Sequence, residues 1–147
     1  MADTAVLVVD DNPDHLELAV LALRECCEPS RIATAADGAQ ALDFLLGRGE
    51  QEGKLGKQPR LVILDMKMTG LSGVQVLQAI RANPRTKSIP VVMLSASTEK
   101  DELDSCYLAG ANSVVRKSLD YEELRRKMRQ MFEFWVTVNE ADRNSRV

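Results

Sequence analysis

The sequence contains few aromatic residues, few cysteines and a single histidine, and these shortages narrow the possible folds and functions. Its 147 residues include 3 cysteines and 1 histidine, and only 4% of them are aromatic. Three cysteines cannot supply the disulfide framework that stabilises many small secreted domains. Cys26 and Cys27 are adjacent on a predicted helix, where their side chains diverge and cannot easily bridge each other. We therefore predict reduced cysteines that pack as small apolar side chains.

The chain also lacks an excess of basic residues and a long apolar segment. Its 19 basic and 22 acidic residues are well mixed and give a formal net charge of -3. This balance offers no basic surface for nucleic acid and no polybasic cluster for an anionic membrane. The first apolar run, from Ala5, ends at Asp10 and is too short for a signal peptide or a membrane span. We expect a cytoplasmic protein that binds neither nucleic acid nor a membrane.

Short aliphatic runs alternate with amphipathic segments along the whole chain. With 147 residues, 45% of them hydrophobic, the chain can form one core but is too short for two ordinary domains. The alternation predicts right-handed βαβ crossovers, and hence a doubly wound α/β domain with a parallel sheet between two layers of helices. The five predicted strands are Ala5–Val9, Arg31–Thr34, Leu61–Leu64, Pro90–Leu94 and Ser113–Val115.

Capping residues mark where the predicted helices begin. Asn12 followed by Pro13 is typical of an N-cap and a first helical position, and Ser72 is a typical cap for the third helix. Residues 47–60 hold four of the eight glycines and predict a long surface loop. Residues 142–147 predict a frayed tail. The other helices are predicted over Gly38–Leu46, from about Thr98 to Gly110, and from about Asp120 onward.

Polar side chains stand where the predicted strands end. The carboxyl ends of parallel strands meet at one edge of the sheet, and ligands bind there at the topological switch point. The sequence therefore predicts one site built from residues that are distant along the chain. The predicted site residues are Asp10 and Asp11 after the first strand, Asp65 after the third, Ser95 after the fourth and Lys117 after the fifth.

Three carboxylates at one site repel each other, so the site must bind protons or a cation. Oxygen ligands favour a hard ion such as Mg2+. A Mg2+ ion held by Asp11 and Asp65 can bridge to an incoming phosphoryl oxygen, while Lys117 and Ser95 bind two others. Asp65 can then act as the nucleophile. Each residue alone has an ordinary structural explanation, such as a helix cap, and only the combination indicates chemistry.

Four segments of the sequence resemble, in order, the motifs of receiver domains of two-component systems. VLVVDDNPDH, LVILDMKMTGLSG, VVMLSAS and VVRKS match the acidic pair, phosphoacceptor, hydroxyl and lysine blocks of that family, and the resemblance covers roughly residues 4–132. It implies a flavodoxin-like five-stranded sheet with strand order 2-1-3-4-5. It also implies a response regulator that is a signalling protein rather than an enzyme, and that accepts a phosphoryl group on Asp65 from a sensor histidine kinase.

The same resemblance implies a role for each site residue. The implied Mg2+ ligands are Asp11, Asp65 and the backbone carbonyl of Lys67, while Asp10 acts largely through a bound water. Lys67 also flanks the path of the attacking water and so tunes the phosphoryl lifetime. The residues implied to contact the phosphoryl group are Asp65 as the acceptor and Ser95 and Lys117 on its oxygens.

The loop before the third strand and the FEFW segment near the end resemble phytochrome-associated single-domain response regulators. This narrower resemblance implies a bacteriophytochrome kinase as the phosphodonor. It also implies one receiver domain over residues 1–147, without an output domain, in which residues 133–147 are a C-terminal helix extension and tail.

The aromatic residues are concentrated on the fifth helix. Four of the six lie between Tyr121 and Trp135. We predict a homodimer through this helix and its extension, with docking of the kinase as the alternative use of the surface. The stripe predicted to face the sheet is Tyr121, Leu124, Met128, Met131 and Trp135, with Phe132 and Phe134 toward its edges.

Three positions depart from the receiver pattern and leave other functions open. Val114 replaces a common aromatic switch, and Thr69 and Ser118 replace common prolines, which loosens two backbone constraints. A degenerate receiver that serves as a non-phosphorylated dimeric scaffold is therefore the main alternative. A haloacid dehalogenase-like phosphatase is disfavoured because Lys67 stands where that class has a second aspartate. A flavodoxin-like nucleotide-binding module is disfavoured because no glycine-rich loop follows the first strand.

Overall fold

The structure, a computed structural model, describes residues 3–49 and 58–141. Within these residues five strands alternate with five α-helices. The predicted alternation is confirmed, and no strand boundary differs from its prediction by more than one residue. The strands are β1 (Val6–Val9), β2 (Ile32–Ala35), β3 (Leu61–Asp65), β4 (Val91–Ser95) and β5 (Ser113–Arg116). The helices are α1 (Pro13–Leu23), α2 (Gly38–Leu46), α3 (Gly73–Ala82), α4 (Lys100–Ala109) and α5 (Tyr121–Phe132).

In the described residues the strands form one parallel sheet in the order β2-β1-β3-β4-β5, as predicted. Successive side chains of a strand point to opposite faces, so each central strand contributes to two cores. Val6 and Val8 pack in the core under α1 and α5, whereas Leu7 and Val9 pack in the core under α2, α3 and α4. The fold is therefore the predicted doubly wound α/β sandwich.

The predicted caps position the helices that flank the carboxyl edge of the sheet. The Asn12 side chain accepts hydrogen bonds from two backbone N–H groups, and Pro13 takes the first position of α1. The Ser72 hydroxyl accepts a bond from the N–H of Gln75, whose side chain accepts one from the N–H of Ser72. This capping box fixes the start of α3 directly after the loop that follows β3.

The cysteine pair does not lie on a helix, because α1 ends at Leu23 and the residues that follow form a turn. The thiols of Cys26, Cys27 and Cys106 are all free, as predicted. Cys27 and Cys106 are buried, and burial raises the pKa of both thiols. They therefore act as apolar packing groups, since a thiol with a raised pKa is a poor nucleophile.

The predicted apolar stripe of α5 is only partly correct. Leu124, Met128 and Met131 are buried, but so is Phe132, which was predicted at an edge and lies one turn after Met128. After Phe132 the chain continues as a π-helical turn, Glu133–Val138. A π-turn inserts one extra residue and shifts the facing positions, so Val136 is also buried in the core, while the predicted Trp135 is half-buried and packs against it.

Two predicted irregular segments lie largely outside the described residues. Of the loop over 47–60, residues 50–57 are not described, nor are residues 142–147 of the predicted tail. Where the loop rejoins the described chain, Gln58 is buried and its side-chain amide donates to the Leu45 carbonyl at 3.0 Å. Across the described ranges, no helix is long and apolar enough to span a bilayer.

Candidate functional site

Three aspartates meet at the edge where the strand order changes direction. The chain leaves β1 for β2 on one side and returns to β3 on the other, so the ends of β1 and β3 border the switch point. Asp10 and Asp11 follow β1, and Asp65 is the last residue of β3. One carboxylate oxygen from each lies within 4.8 Å of the others. The predicted convergence of these carboxylates is present in the fold.

Lys117 links two of the carboxylates. Its Nζ lies 2.8 Å from Oδ2 of Asp10 and 3.4 Å from Oδ1 of Asp65, and its side chain is 15% exposed. The backbone N–H of Lys117 also donates to the Ser95 carbonyl at 2.7 Å. This main-chain bond positions the backbone of Lys117, and the two carboxylates position its ammonium group.

Burial sets the charge state of Asp65. The residue is 6% exposed, and burial raises the pKa of its carboxyl from 3.8 to about 6, with Lys117 opposing this rise and Asp10 and Asp11 adding to it. A carboxylate is harder to form in such a place because the charged state loses hydration. Asp65 is therefore ionised near neutral pH but only weakly stabilised, which suits a nucleophile more than a structural ion pair.

Asp10 and Asp11 receive different hydrogen bonds. Oδ1 of Asp10 accepts from the N–H of Asn12 at 2.9 Å, so Asp10 is held by its own turn. Oδ2 of Asp11 accepts from the N–H of Thr69 at 2.9 Å and from the Thr69 hydroxyl at 3.3 Å. Thr69 lies in the loop after β3, so this contact joins the two loops that carry the three aspartates. From the sequence alone, Thr69 is only a position that lacks the common proline, and these two bonds are not predicted.

The Ser95 hydroxyl makes its hydrogen bonds within its own loop. Ser95 is 3% exposed at the end of β4, and its Oγ donates to the Ser97 carbonyl and accepts from the Ser97 N–H at 3.2 Å. The predicted hydroxyl is thus at the correct edge of the sheet, but its proton is used within its own loop. A phosphoryl oxygen at Asp65 must compete with the Ser97 carbonyl for that proton.

Lys67 lines the cleft, and its ammonium group forms an ion pair with α4. A solvent-open cleft of about 360 Å³ is lined by the three aspartates together with Lys67 and Lys117. The Lys67 side chain is 76% exposed, and its Nζ lies 3.7 Å from Oε1 of Glu102 on α4. Its charge therefore pairs with Glu102, a contact that the sequence did not suggest.

A close backbone approach keeps α3 against the loop of the site. A Cβ atom on Gly73 would lie 2.4 Å from the Asp65 carbonyl oxygen and 2.8 Å from the Met66 Cα. The N–H of Gly73 donates to the Met66 carbonyl at 2.9 Å. Glycine is therefore required at this position, because any side chain would push α3 away from Asp65.

The other two departures from the receiver pattern are also compensated by hydrogen bonds. The Ser118 hydroxyl accepts from the N–H of Asp120 and donates to its carbonyl, both at 3.2 Å, so it closes the turn before α5. The N–H of Val114, on the outer strand β5, donates to the hydroxyl of Tyr107 on α4 at 3.2 Å. An aromatic residue thus does stand beside Val114, but it comes from a helix.

Comparison with known families gives one clear match. Residues 6–129 match the family model described as "Response regulator receiver domain". The probable methanogenesis regulatory protein FilR2 of Methanothrix harundinacea is 35% identical over 136 residues, which cover 92% of this chain and 86% of FilR2. The match spans all of the strands and helices that build the cleft.

Two solved structures are similar over nearly the whole chain. The phosphorylated cyanobacterial phytochrome response regulator RcpA superimposes with a TM-score of 0.86 at 29% identity, covering 95% of this chain and 99% of RcpA. The Mn2+-bound form of response regulator Rcp1 gives a TM-score of 0.79 at 26% identity, covering 95% of this chain and 99% of Rcp1. The similar structures thus include a phosphorylated phytochrome response regulator and a response regulator with bound Mn2+.

Proposed function

Since the chain belongs to the response regulator receiver domain family, we propose that it accepts a phosphoryl group on Asp65 from a sensor histidine kinase. Members of this family are signalling proteins of two-component systems and receive phosphoryl groups from histidine kinases. The observation that carries the proposal is the position of Asp65, which lines the cleft, is 6% exposed and lies 3.4 Å from Lys117.

The proposed transfer moves one phosphoryl group between two side chains. An Asp65 carboxylate oxygen attacks the phosphorus of a phosphohistidine, the new P–O bond forms, and the P–N bond breaks. The electron pair of that bond returns to the imidazole nitrogen of the kinase. Lys117, 3.4 Å from Oδ1 of Asp65, neutralises charge on the incoming phosphoryl oxygens. Ser95 lies at the adjacent strand end and can donate its hydroxyl proton once it leaves the Ser97 carbonyl.

We propose Mg2+ as the cofactor, because the residues of the cleft fit a hard divalent cation. Three carboxylates within 4.8 Å of one another carry more negative charge than Lys117 alone balances, and their donor atoms are oxygens. Asp11, Asp65 and the backbone carbonyl of Lys67 would hold the ion, with Asp10 acting through a bound water. When bound, the cation neutralises charge on the transferring phosphoryl group. The Mn2+-bound form of Rcp1 supports a divalent site in this family.

We propose a phytochrome-type kinase as the donor, on the basis of similarity to RcpA. RcpA is a phytochrome response regulator that aligns over 95% of this chain. A phytochrome kinase incubated with ATP and this chain should transfer its phosphoryl group faster than a histidine kinase of an unrelated sensor class. Equal rates with both kinases would count against the assignment of the partner while leaving the role of Asp65 intact.

The proposed function is tested by intact mass after incubation with acetyl phosphate. We expect a phosphoryl adduct on the wild type that forms in the presence of Mg2+ and does not form when EDTA is present. Asp65→Asn should show no adduct, because an amide is not a comparable nucleophile. Asp104→Asn is a matched control, since Asp104 is an exposed carboxylate on α4 that pairs with Lys100, and it should be modified like the wild type.

Two outcomes of this experiment would contradict the proposal. An adduct of equal yield on Asp65→Asn would place the acceptor at another residue. No adduct on the wild type, from acetyl phosphate or from a phosphorylated kinase, would favour the scaffold alternative, in which the chain binds proteins without being phosphorylated.

We also propose a homodimer through α5 and its π-helical extension. Phe134 is 50% exposed and Val138 is 65% exposed on that extension, and the rings of Phe134 and Trp135 pack edge to face with centroids 4.9 Å apart. Exposed apolar side chains of this kind favour an interface. We treat residues from 133 onward as an extension of the receiver domain, because Val136 packs in its core.

Sedimentation velocity tests the dimer. We expect the wild type to sediment as a dimer and Phe134→Asp as a monomer, because an unpaired carboxylate is costly at an apolar interface. Leu21→Asp on α1 is a matched control, since Leu21 is also 50% exposed, and it should remain dimeric. If Phe134→Asp and the wild type have the same mass, the extension does not form the dimer.

A further inference from the structure

Thr69, in the loop that follows β3, contacts the proposed metal ligand Asp11 through two hydrogen-bond donors. Its N–H and its hydroxyl both reach Oδ2 of Asp11, at 2.9 and 3.3 Å. The two residues are 58 positions apart along the chain, so their contact depends on the fold and not on a local turn. Because both donors converge on Oδ2, neither of them occupies Oδ1.

This contact stabilises a carboxylate in an unfavourable place. Asp11 is half-buried and shares the cleft with the buried carboxylates of Asp10 and Asp65. Lys117 pairs with those two and not with Asp11 among the described ion pairs of the site. The donors of Thr69 therefore offset negative charge on the carboxylate that Lys117 leaves unpaired, and hydrogen bonds to a charged group are the stronger kind.

The residue type at position 69 determines whether these bonds can form. The receiver pattern commonly has a proline at this position, and proline has neither an N–H nor a hydroxyl. Threonine supplies both donors, and the N–H of residue 69 is the closer of the two to Asp11. A proline in this loop would leave Oδ2 of Asp11 without either bond and free to rotate toward water.

We propose that Thr69 is a positioning residue that sets the divalent-cation affinity of the cleft by holding Asp11 through Oδ2 and leaving Oδ1 for the cation. The inference deepens the proposed function and rests on it, because it assumes that Asp11 is a metal ligand. Groups that orient a metal-ligating carboxylate typically change metal affinity by about 10- to 100-fold when removed. Thr69 contacts neither the cation nor the phosphoryl group in this role.

The test measures the Mn2+ dissociation constant by electron paramagnetic resonance of free Mn2+, for the wild type and two variants. Thr69→Pro removes both donors, and we expect its dissociation constant to rise by about 10-fold. Thr69→Val keeps the N–H and the branched shape and loses only the hydroxyl, so its rise should be smaller.

A double-mutant cycle separates positioning from a general effect on the loop. In an Asp11→Asn background, Thr69→Pro should cause no further rise in the dissociation constant, since the carboxylate through which Thr69 acts is gone. An equal rise in both backgrounds would overturn the inference. So would an unchanged constant in folded Thr69→Pro or, if that variant does not fold, in Thr69→Val. Failure of the wild type to bind Mn2+ would instead overturn the metal site of the proposed function.

Discussion

Lys117→Met is expected to accept the phosphoryl group from acetyl phosphate on the order of 10²- to 10³-fold more slowly than the wild type. This is the usual loss of rate when one preorganised donor to a developing anion is removed. Among the described residues, Lys117 is the cation that forms an ion pair with Asp65, at 3.4 Å, and its side chain is 15% exposed. Its interaction with phosphoryl oxygens would occur in a partly dehydrated cleft, where charge stabilisation is stronger than in water. Methionine retains the length of the side chain without the charge.

The same substitution changes the pH dependence of the reaction. Lys117 lowers the pKa of Asp65 against the effect of burial, which raises it to about 6. Without the lysine that pKa rises further, so a smaller fraction of Asp65 is ionised at pH 7. The rate of Lys117→Met should therefore continue to increase with pH above the range in which the wild-type rate has levelled off.

Intact-mass time courses measure both effects, at saturating Mg2+ for the rate, and at sub-saturating Mg2+ and several pH values for the pH dependence, where protons compete with the cation for Asp65. Lys100→Met is the matched control, because Lys100 is 87% exposed on α4 and pairs only with Asp104 among the described ion pairs. The control should keep the wild-type rate. A Lys117→Met rate close to that of the wild type would mean that the lysine serves only to balance Asp10, with which it makes its shorter contact, at 2.8 Å.

The sequence predicts the position of the site because strand ends can be read from apolar runs. Asp10, Asp65 and Lys117 each stand at a break in such a run, and the parallel topology places those breaks on one edge. The caps Asn12 and Ser72 fixed two helix starts for a similar reason, since a capping side chain bonds to backbone only a few residues away. Both signals lie within a few residues of the feature that they predict, so a single sequence is enough to predict the strand ends and the helix starts.

What the sequence did not predict depends on contacts between distant residues. The Thr69–Asp11 bonds and the Lys67–Glu102 pair join different loops and helices, and no local pattern encodes them. The direction of the Ser95 hydroxyl depends on a rotatable bond, and its proton is accepted by the Ser97 carbonyl. The π-turn after Phe132 shifts the facing residues by one position, which a fixed helical period cannot anticipate.

At pH 7.5 in EDTA, the free energy of unfolding of Asp65→Asn is expected to exceed that of the wild type by about 3 kcal/mol. Near pH 3.5 the two proteins should be equally stable. The magnitude follows from the rise in the pKa of Asp65 from 3.8 to about 6 on folding, at about 1.4 kcal/mol per pKa unit. Burial is the main cause of the rise, and Asp65 is only 6% exposed, so solvent screening reduces the effect little.

The sign follows from proton linkage. A carboxyl whose pKa is raised on folding binds a proton more tightly in the folded state, so it costs stability wherever the unfolded state is ionised. That cost is absent below pH 3.8, grows as the pH rises to about 6, and stays constant above it. Glu25 and Glu123 have the opposite effect on stability, because arginine and lysine partners lower their pKa values in the folded state. Comparing Asp65→Asn with the wild type cancels their contribution.

Urea unfolding of both proteins at pH 3.5, 5 and 7.5 measures this difference, with Asp104→Asn as an exposed control that should show no comparable gain. An advantage of equal size at all three pH values would mean that Asn packs better and that charge is not the cause. Addition of Mg2+ at pH 7.5 should reverse the order, because a cation that binds only the folded wild type stabilises it further as its concentration rises. The loss of folding stability caused by ionised Asp65 would then follow from placing a reactive carboxylate in a buried cleft, and the bound cation would offset that loss.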